Sequence, residues 1–281
     1  MTTAATTRTV DLDGLRVAYR ELGSGPAVLL LHGWPTSSHL WREVMAPIAS
    51  ANRAVAVDLP GFGASDKPLD RRYNFELFER TIDGLLAELG IDQTAIAVHD
   101  LGGPVGVHWA IRNPERVTKI ALLNTLLYPE FSDAVLEFVR DLRNPASRDK
   151  LTSPEGLESM LRLGLADQCY LTDELLQAVR EPFQTRESRR ALAAAGIQLE
   201  LEGFAEIARR LHELRMPVRV IYGARDQVLP DVADTMARVE RDLPQTVTTA
   251  LPDCGHFLQE EAPKQVGELL ARFFAEPPGP R

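Results

Sequence analysis

The chain has 281 residues, 44% hydrophobic and 25% charged, the proportions of an ordinary globular protein, and it contains no apolar run of the about eighteen residues a membrane span needs. Its 31 basic and 40 acidic side chains leave a net charge of −9, which makes nucleic acid and anionic membrane surfaces poor partners. Cys169 and Cys254 lie far apart and outside any CxxC spacing, so neither a disulfide framework nor a thiolate zinc site is indicated, and both read as small buried hydrophobes.

In chain order, Met1 to Val10 is Thr-rich without the apolar stretch of a secretory signal, from which a cytoplasmic location is expected. Leu15 to Glu21 alternates like a half-exposed strand. Val28 to Leu31, Ala54 to Val57, Thr94 to Val98, Ile120 to Leu123 and Val218 to Tyr222 read as buried strands, and Thr246 to Leu251 as the last one. Between them, Leu40 to Ser50, Phe75 to Leu89, Gly103 to Ile111, Asp231 to Glu240 and Lys264 to Phe274 carry apolar residues at helical spacing. Strands alternating with helices predict an α/β fold with a largely parallel sheet. The alternation stops between Tyr128 and Arg215, where Phe131 to Leu142, Gly156 to Leu165, Asp173 to Val179 and Ile197 to Leu211 are helical in period. A helical insertion after a parallel strand is expected over the carboxyl ends of the strands, where such sheets bind ligands. The domains are therefore a core of residues 1–127 and 216–281, interrupted by a helical cap at 128–215.

The strongest local signal is Thr94 to Gly103, a strand running into a tight turn and a helix. This is the layout of a nucleophile elbow, in which small residues such as Gly102 and Gly103 let strand and helix pass closely. Asp100 stands at its tip, where the N–H groups of the following helix favour an ionised carboxylate. Asp226 in Gly223-Ala224-Arg225-Asp226 and His256 in Cys254-Gly255-His256-Phe257 each follow a predicted strand, giving the chain order nucleophile, acid, histidine. The loop His32-Gly33-Trp34-Pro35 offers the Trp34 N–H, which with that of Leu101 would form an oxyanion hole. Taken alone, Asp100 reads as a helix cap and Asp226 as part of a turn; the catalytic reading rests on their conjunction. Gly61-Phe62-Gly63 lacks the following helix of a phosphate loop and reads as a turn.

Together these stretches, with Asp58 to Pro68, Asn113 to Val117 and Gly255 to Glu260, resemble the α/β-hydrolase superfamily, specifically its Asp-nucleophile branch of haloalkane dehalogenases and epoxide hydrolases. The resemblance implies an α/β-hydrolase fold, a mostly parallel eight-stranded sheet flanked by helices with an inserted helical cap. It further implies catalysis through an ester on Asp100, hydrolysed by water that His256 activates with Asp226 behind it. No cofactor or metal is implied, and the partners are a small apolar substrate and water, with a homodimer left open.

The departures from the family pattern concern the leaving group. Dehalogenases place Trp after the nucleophile, where Leu101 stands, and pair it with Asn in the His-Gly loop, where Trp34 stands, or with a cap Trp, which this chain lacks. Epoxide hydrolases use two cap Tyr residues, for which only Tyr128 and Tyr170 are available, and no Arg follows Asp100 to hold a carboxylate. His32, Asn124, Tyr128 and Tyr170 are the candidate pocket residues. Two other readings remain: a cofactor-free lyase or isomerase using Asp100 as a base, and a ligand-binding homologue without catalysis.

Overall fold

Eight strands hydrogen-bond into one sheet in the computed structural model, which describes residues 5–276. They are β1 (Thr6–Leu12), β2 (Leu15–Gly23), β3 (Ala27–Leu31), β4 (Arg53–Val57), β5 (Thr94–Asp100), β6 (Val117–Thr125), β7 (Val218–Gly223) and β8 (Thr246–Leu251). Their order across the sheet is β1-β2-β4-β3-β5-β6-β7-β8; the β1–β2 and β2–β4 pairs are antiparallel and all others parallel. The unbroken apolar runs take the centre: Val28–Leu31 and Ala95–Val98 are buried on both faces, as parallel strands covered by helices must be.

The sheet is the one expected, with one strand that apolar patterning does not reveal. β1 is an edge strand, exposed over Thr6–Thr9, and so has no buried face to leave an alternation in the sequence. What builds it is the Asp13-Gly14 turn. Both residues have positive φ, 54° and 75°, as a two-residue hairpin requires, and Leu12 pairs with Leu15 across it.

The helices Phe75–Glu88, Gly102–Arg112, Val232–Asp242 and Pro263–Ala275 begin within about a residue of the expected positions. Between β6 and β7 lie only helices: Asp133–Arg143, Pro145–Leu151, Pro154–Gly164, Asp173–Arg180, Arg186–Ala195 and Leu201–Arg210, with short 3-10 turns. Two of these escape the apolar periodicity. Pro145–Leu151 is short and polar, started by the Asn144 cap and Pro145 in its first turn. Arg186–Ala195 opens on a charged turn, but Thr185 and Ser188 form a capping box and Ala191–Ala195 favours helix. Conversely, the helix expected from Ile197 starts only at Leu201. Cys254 is buried as expected, whereas Cys169 is exposed, because it sits in the one-turn helix Gln168–Tyr170, which has no buried face. No helix among the described residues is long and apolar enough to cross a membrane.

Candidate active site

β5 ends at Asp100 with φ +48°, a left-handed conformation that strains a residue with a side chain, and the helix Gly102–Arg112 follows at once. The neighbouring glycines are required by space. A Cβ on Gly102 would strike the carbonyls of Leu31 and His32, one on Gly103 the Thr125 hydroxyl, and one on Gly33 the Asp100 carboxylate itself. The Thr125 hydroxyl donates to the Asp100 carbonyl at 2.6 Å and so holds the strained residue. The backbone N–H of Trp34 donates to Asp100 Oδ1 at 2.7 Å, and the Leu101 amide also stabilises the carboxylate.

Asp226 follows β7 and His256 follows β8, so the parallel register brings both to the edge of the sheet where Asp100 stands. His256 Nδ1 lies 2.8 Å from Asp226 Oδ2, and His256 Nε2 lies 3.7 Å from Asp100 Oδ2. Because Asp226 can only accept, Nδ1 keeps the proton when the imidazole is neutral, and Nε2 is then the nitrogen whose lone pair faces Asp100; Nε2 has no hydrogen-bond partner among the described residues. Asp226 is itself held from three directions. Its Oδ1 accepts the Val228 and Leu229 amides, both at 2.8 Å, and its Oδ2 accepts the Asn124 side chain at 2.7 Å. Asn124, at φ +29°, also accepts the Gly223 N–H at 2.8 Å. It therefore fixes the acid instead of facing substrate.

Burial pushes the Asp100 carboxyl above its ordinary range, against the lowering influence of His256 and of the Leu101 and Trp34 amides. Burial alone would depress the His256 imidazole, but the charge and hydrogen bond of Asp226, with the charge of Asp100, hold it above its usual value. Asp226 is the reverse case: burial would raise it, and His256, Asn124 and the Leu229 amide bring it below the usual carboxylate range.

A cavity of about 470 Å³ runs from Asp100 and Leu101 between the sheet and the insertion. Its walls include Leu126, Phe131, Val135, Phe138, Leu229 and Phe257, and the half-exposed Leu136, Leu163 and Leu201 form its outer part. Of the four candidate pocket residues, none lines it. His32 is fully buried behind the loop, its Nδ1 donating to the Gly33 carbonyl and its Nε2 accepting from the Leu59 amide. Tyr128 is turned away, its hydroxyl donating to Asp242 at 2.8 Å and its ring against the Arg238 guanidinium. Tyr170 belongs to the exposed Gln168–Tyr170 turn. The Trp34 ring does reach the cavity, but its indole N–H donates to the Leu192 carbonyl at 3.1 Å. Among the described residues no tyrosine lines the cavity, and no group of three or more His, Cys, Asp or Glu is placed to hold a metal.

Three neighbours of the site escape sequence reasoning: Thr125, His99, whose Nε2 lies 2.9 Å from the His256 carbonyl, and Glu261, which accepts the Gly255 amide at 2.6 Å. The only signal for the last two is adjacency, His99 to Asp100 and Glu261 to the Gly255–Glu260 stretch.

A family model of the α/β hydrolase fold matches residues 26–263. The haloalkane dehalogenase of Sphingobium indicum is 30% identical over 285 residues, covering 94% of this chain and 93% of its own length. The 2-hydroxymuconate semialdehyde hydrolase of a Pseudomonas species is 28% identical, covering 96% and 94%. The crystal structure of haloalkane dehalogenase DbeA from Bradyrhizobium elkani superposes with a TM-score of 0.85 at 28% identity, covering 96% of this chain and 98% of that one. With that fold, an elbow at the end of β5 and a His–Asp pair behind it, the chain belongs to the α/β hydrolase family and is a hydrolase of that type.

Proposed function

We propose that the protein is a haloalkane dehalogenase-like hydrolase acting on small apolar alkyl substrates through an ester on Asp100. The observation that carries this reading is a carboxylate, where acyl-transfer hydrolases have a hydroxyl, set 3.7 Å in front of a histidine that is hydrogen-bonded to Asp226. Asp100 Oδ1 is engaged by the Trp34 amide, so Oδ2 is the oxygen free to attack. It displaces the leaving group from an sp³ carbon and becomes the bridging oxygen of an alkyl ester. His256 Nε2 then takes a proton from water as the water attacks Cγ of Asp100. The oxyanion develops on Oδ1, between the Trp34 and Leu101 amides. Collapse expels the alkoxide, which takes the proton from His256 and leaves as the alcohol carrying the original Oδ2, and the second water proton, left on the Asp100 carboxyl, is lost to solvent to restore the carboxylate. Asp226 orients the imidazole and balances its transient charge, and residues 128–215 act as the cap that keeps the cavity dry. No cofactor enters this sequence.

A halide leaving group fits better than an epoxide, because a halide departs as a stable anion without an acid even where, as here, Leu101 follows the nucleophile and the Trp34 indole is bonded to Leu192, whereas opening an epoxide needs an acid and Tyr128 and Tyr170 both lie outside the cavity. Single turnover in ¹⁸O-labelled water tests the scheme. Label should enter Asp100 and not the first alcohol formed, with halide released and no diol from epoxides. The raised pKa of Asp100 favours a second reading, in which the carboxylate is the base of a lyase or isomerase; Asp100 would then stay unlabelled while substrate is consumed.

A further inference from the structure

The main chain around His256 is held partly by the insertion. The His256 N–H donates to the carbonyl of Gly164, the last residue of the helix Pro154–Gly164, at 2.7 Å. Glu261, 7% exposed, gathers three backbone amides on its carboxylate. Oε2 accepts Gly255 N–H at 2.6 Å, while Oε1 accepts Ala166 N–H at 2.8 Å and Asp167 N–H at 3.1 Å. Gly255 precedes His256, whereas Ala166 and Asp167 follow the insertion helix, so one carboxylate joins the two segments. The contact is close enough to exclude side chains: a Cβ on Gly255 would strike Gly164 O and Ala166 N, and one on Gly164 would strike the Phe257 ring. The adjacent Glu260 points elsewhere, accepting from both terminal guanidinium nitrogens of Arg42 at 2.6 and 2.8 Å. The short helix Leu258–Glu261 is thus tied to the core by one glutamate and to the insertion by the next. Among the described residues Glu261 has no salt-bridge partner, and three amides stand where a buried carboxylate ordinarily requires a cation.

We propose that Glu261 is a positioning residue that staples residues 164–167 of the insertion to the histidine loop, so that seating of the insertion sets the place of His256. The inference rests on the Asp100 ester scheme, in which the two half-reactions use different groups. Ester formation needs Asp100, while hydrolysis also needs the His256 Nε2 within reach of a water on Cγ. Loosening the staple therefore slows the second step and spares the first.

The test uses the full chain with 1-bromohexane, following the first-turnover bromide burst, the steady-state rate and the intact mass of the enzyme. Glu261→Gln places an NH₂ against donors that have only an acceptor there now. Its burst should stay within about threefold of the parent, while the steady-state rate falls about tenfold or more and a hexyl adduct on Asp100 accumulates, since a misplacement of about 1 Å is enough for such a loss. Glu261→Asp, which keeps the charge, should recover part of the rate. A steady-state rate like that of the parent overturns the inference, as does an equal fall of burst and steady state without adduct. If Glu261→Gln does not fold by circular dichroism, Gly255→Ala presses on the same contact with the carboxylate intact; it should show the same burst and stall, and parent-like turnover there overturns the inference. His256→Gln run alongside separates the two levels: without an adduct in that variant the ester scheme itself fails, whatever Glu261 does.

Discussion

The indole N–H of Trp34 donates to the main-chain carbonyl of Leu192 at 3.1 Å, tying the loop that supplies an amide to Asp100 to the insertion helix Arg186–Ala195. The ring nitrogen is thereby spent on structure. Trp34→Phe should keep the first-turnover bromide burst within a few-fold of the parent while lowering stability by about 1–3 kcal/mol, the cost of a buried carbonyl left without a donor. Chemical denaturation and quench-flow read the two effects. A burst reduced about a hundredfold at unchanged stability would instead assign the indole to the leaving group.

Asn124 donates to Asp226 Oδ2 and accepts from the Gly223 amide, both inside the protein. Asn124→Ala strips a donor from a buried carboxylate and orphans an N–H, so stability should drop by about 2 kcal/mol or more. Ester hydrolysis should also slow, because Asp226 no longer fixes the imidazole. Steady-state kinetics beside denaturant unfolding checks both; a variant losing neither would show the acid to be held by the Val228 and Leu229 amides alone.

In the proposed ester scheme both half-reactions should have acid limbs, because burial raises the Asp100 carboxyl and the Asp226 and Asp100 carboxylates hold the His256 imidazole up against burial. Ester formation, which needs ionised Asp100, fails as pH falls through the raised pKa of that carboxyl. Hydrolysis, which needs neutral His256, fails as pH falls through the raised pKa of the imidazole. Esterification removes the Asp100 charge, one of the influences that hold His256 up. The limb for breakdown of preformed alkyl-enzyme should therefore lie at lower pH than the His256 titration of the free enzyme followed by NMR. An equal or higher position contradicts the coupling.

A methyl group at Gly103 would collide with the Thr125 hydroxyl that secures Asp100, and the two elements there are a core strand and a buried helix with no room to part. Gly103→Ala should cost about 3 kcal/mol or more, at the large end of single-substitution effects, and abolish turnover. Thermal unfolding and activity would show it; a stable, active variant would mean that strand and helix can separate.

What the sequence makes legible follows what each residue type must do. The central strands stand out because burial on both faces demands unbroken apolar runs such as Val28–Leu31, while β1 does not, since an exposed edge makes no such demand. The grouping of Asp100, Asp226 and His256 can be anticipated because each stands at or just past the carboxyl end of a strand in the parallel part of the sheet, which converts chain order into proximity. Side-chain direction has no comparable signal. Tyr128 and Tyr170 have suitable chemistry in a suitable segment, yet one turns to Asp242 and the other to solvent. The engagement of Trp34 with Leu192, and of Glu261 with Ala166 and Asp167, depends on how the insertion packs on the core, which no local pattern encodes.

The role of Asp100 as nucleophile is tested most directly by the mass of the tryptic peptide containing it after His256→Gln enzyme has been incubated with 1-bromohexane. Without the base the ester should form and persist, so the peptide should gain one hexyl group in place of a proton, located on Asp100 by fragmentation, with one bromide released per active site. Multiple turnovers with an unmodified Asp100 peptide, or an adduct on another residue, would contradict the assignment of Asp100 as nucleophile.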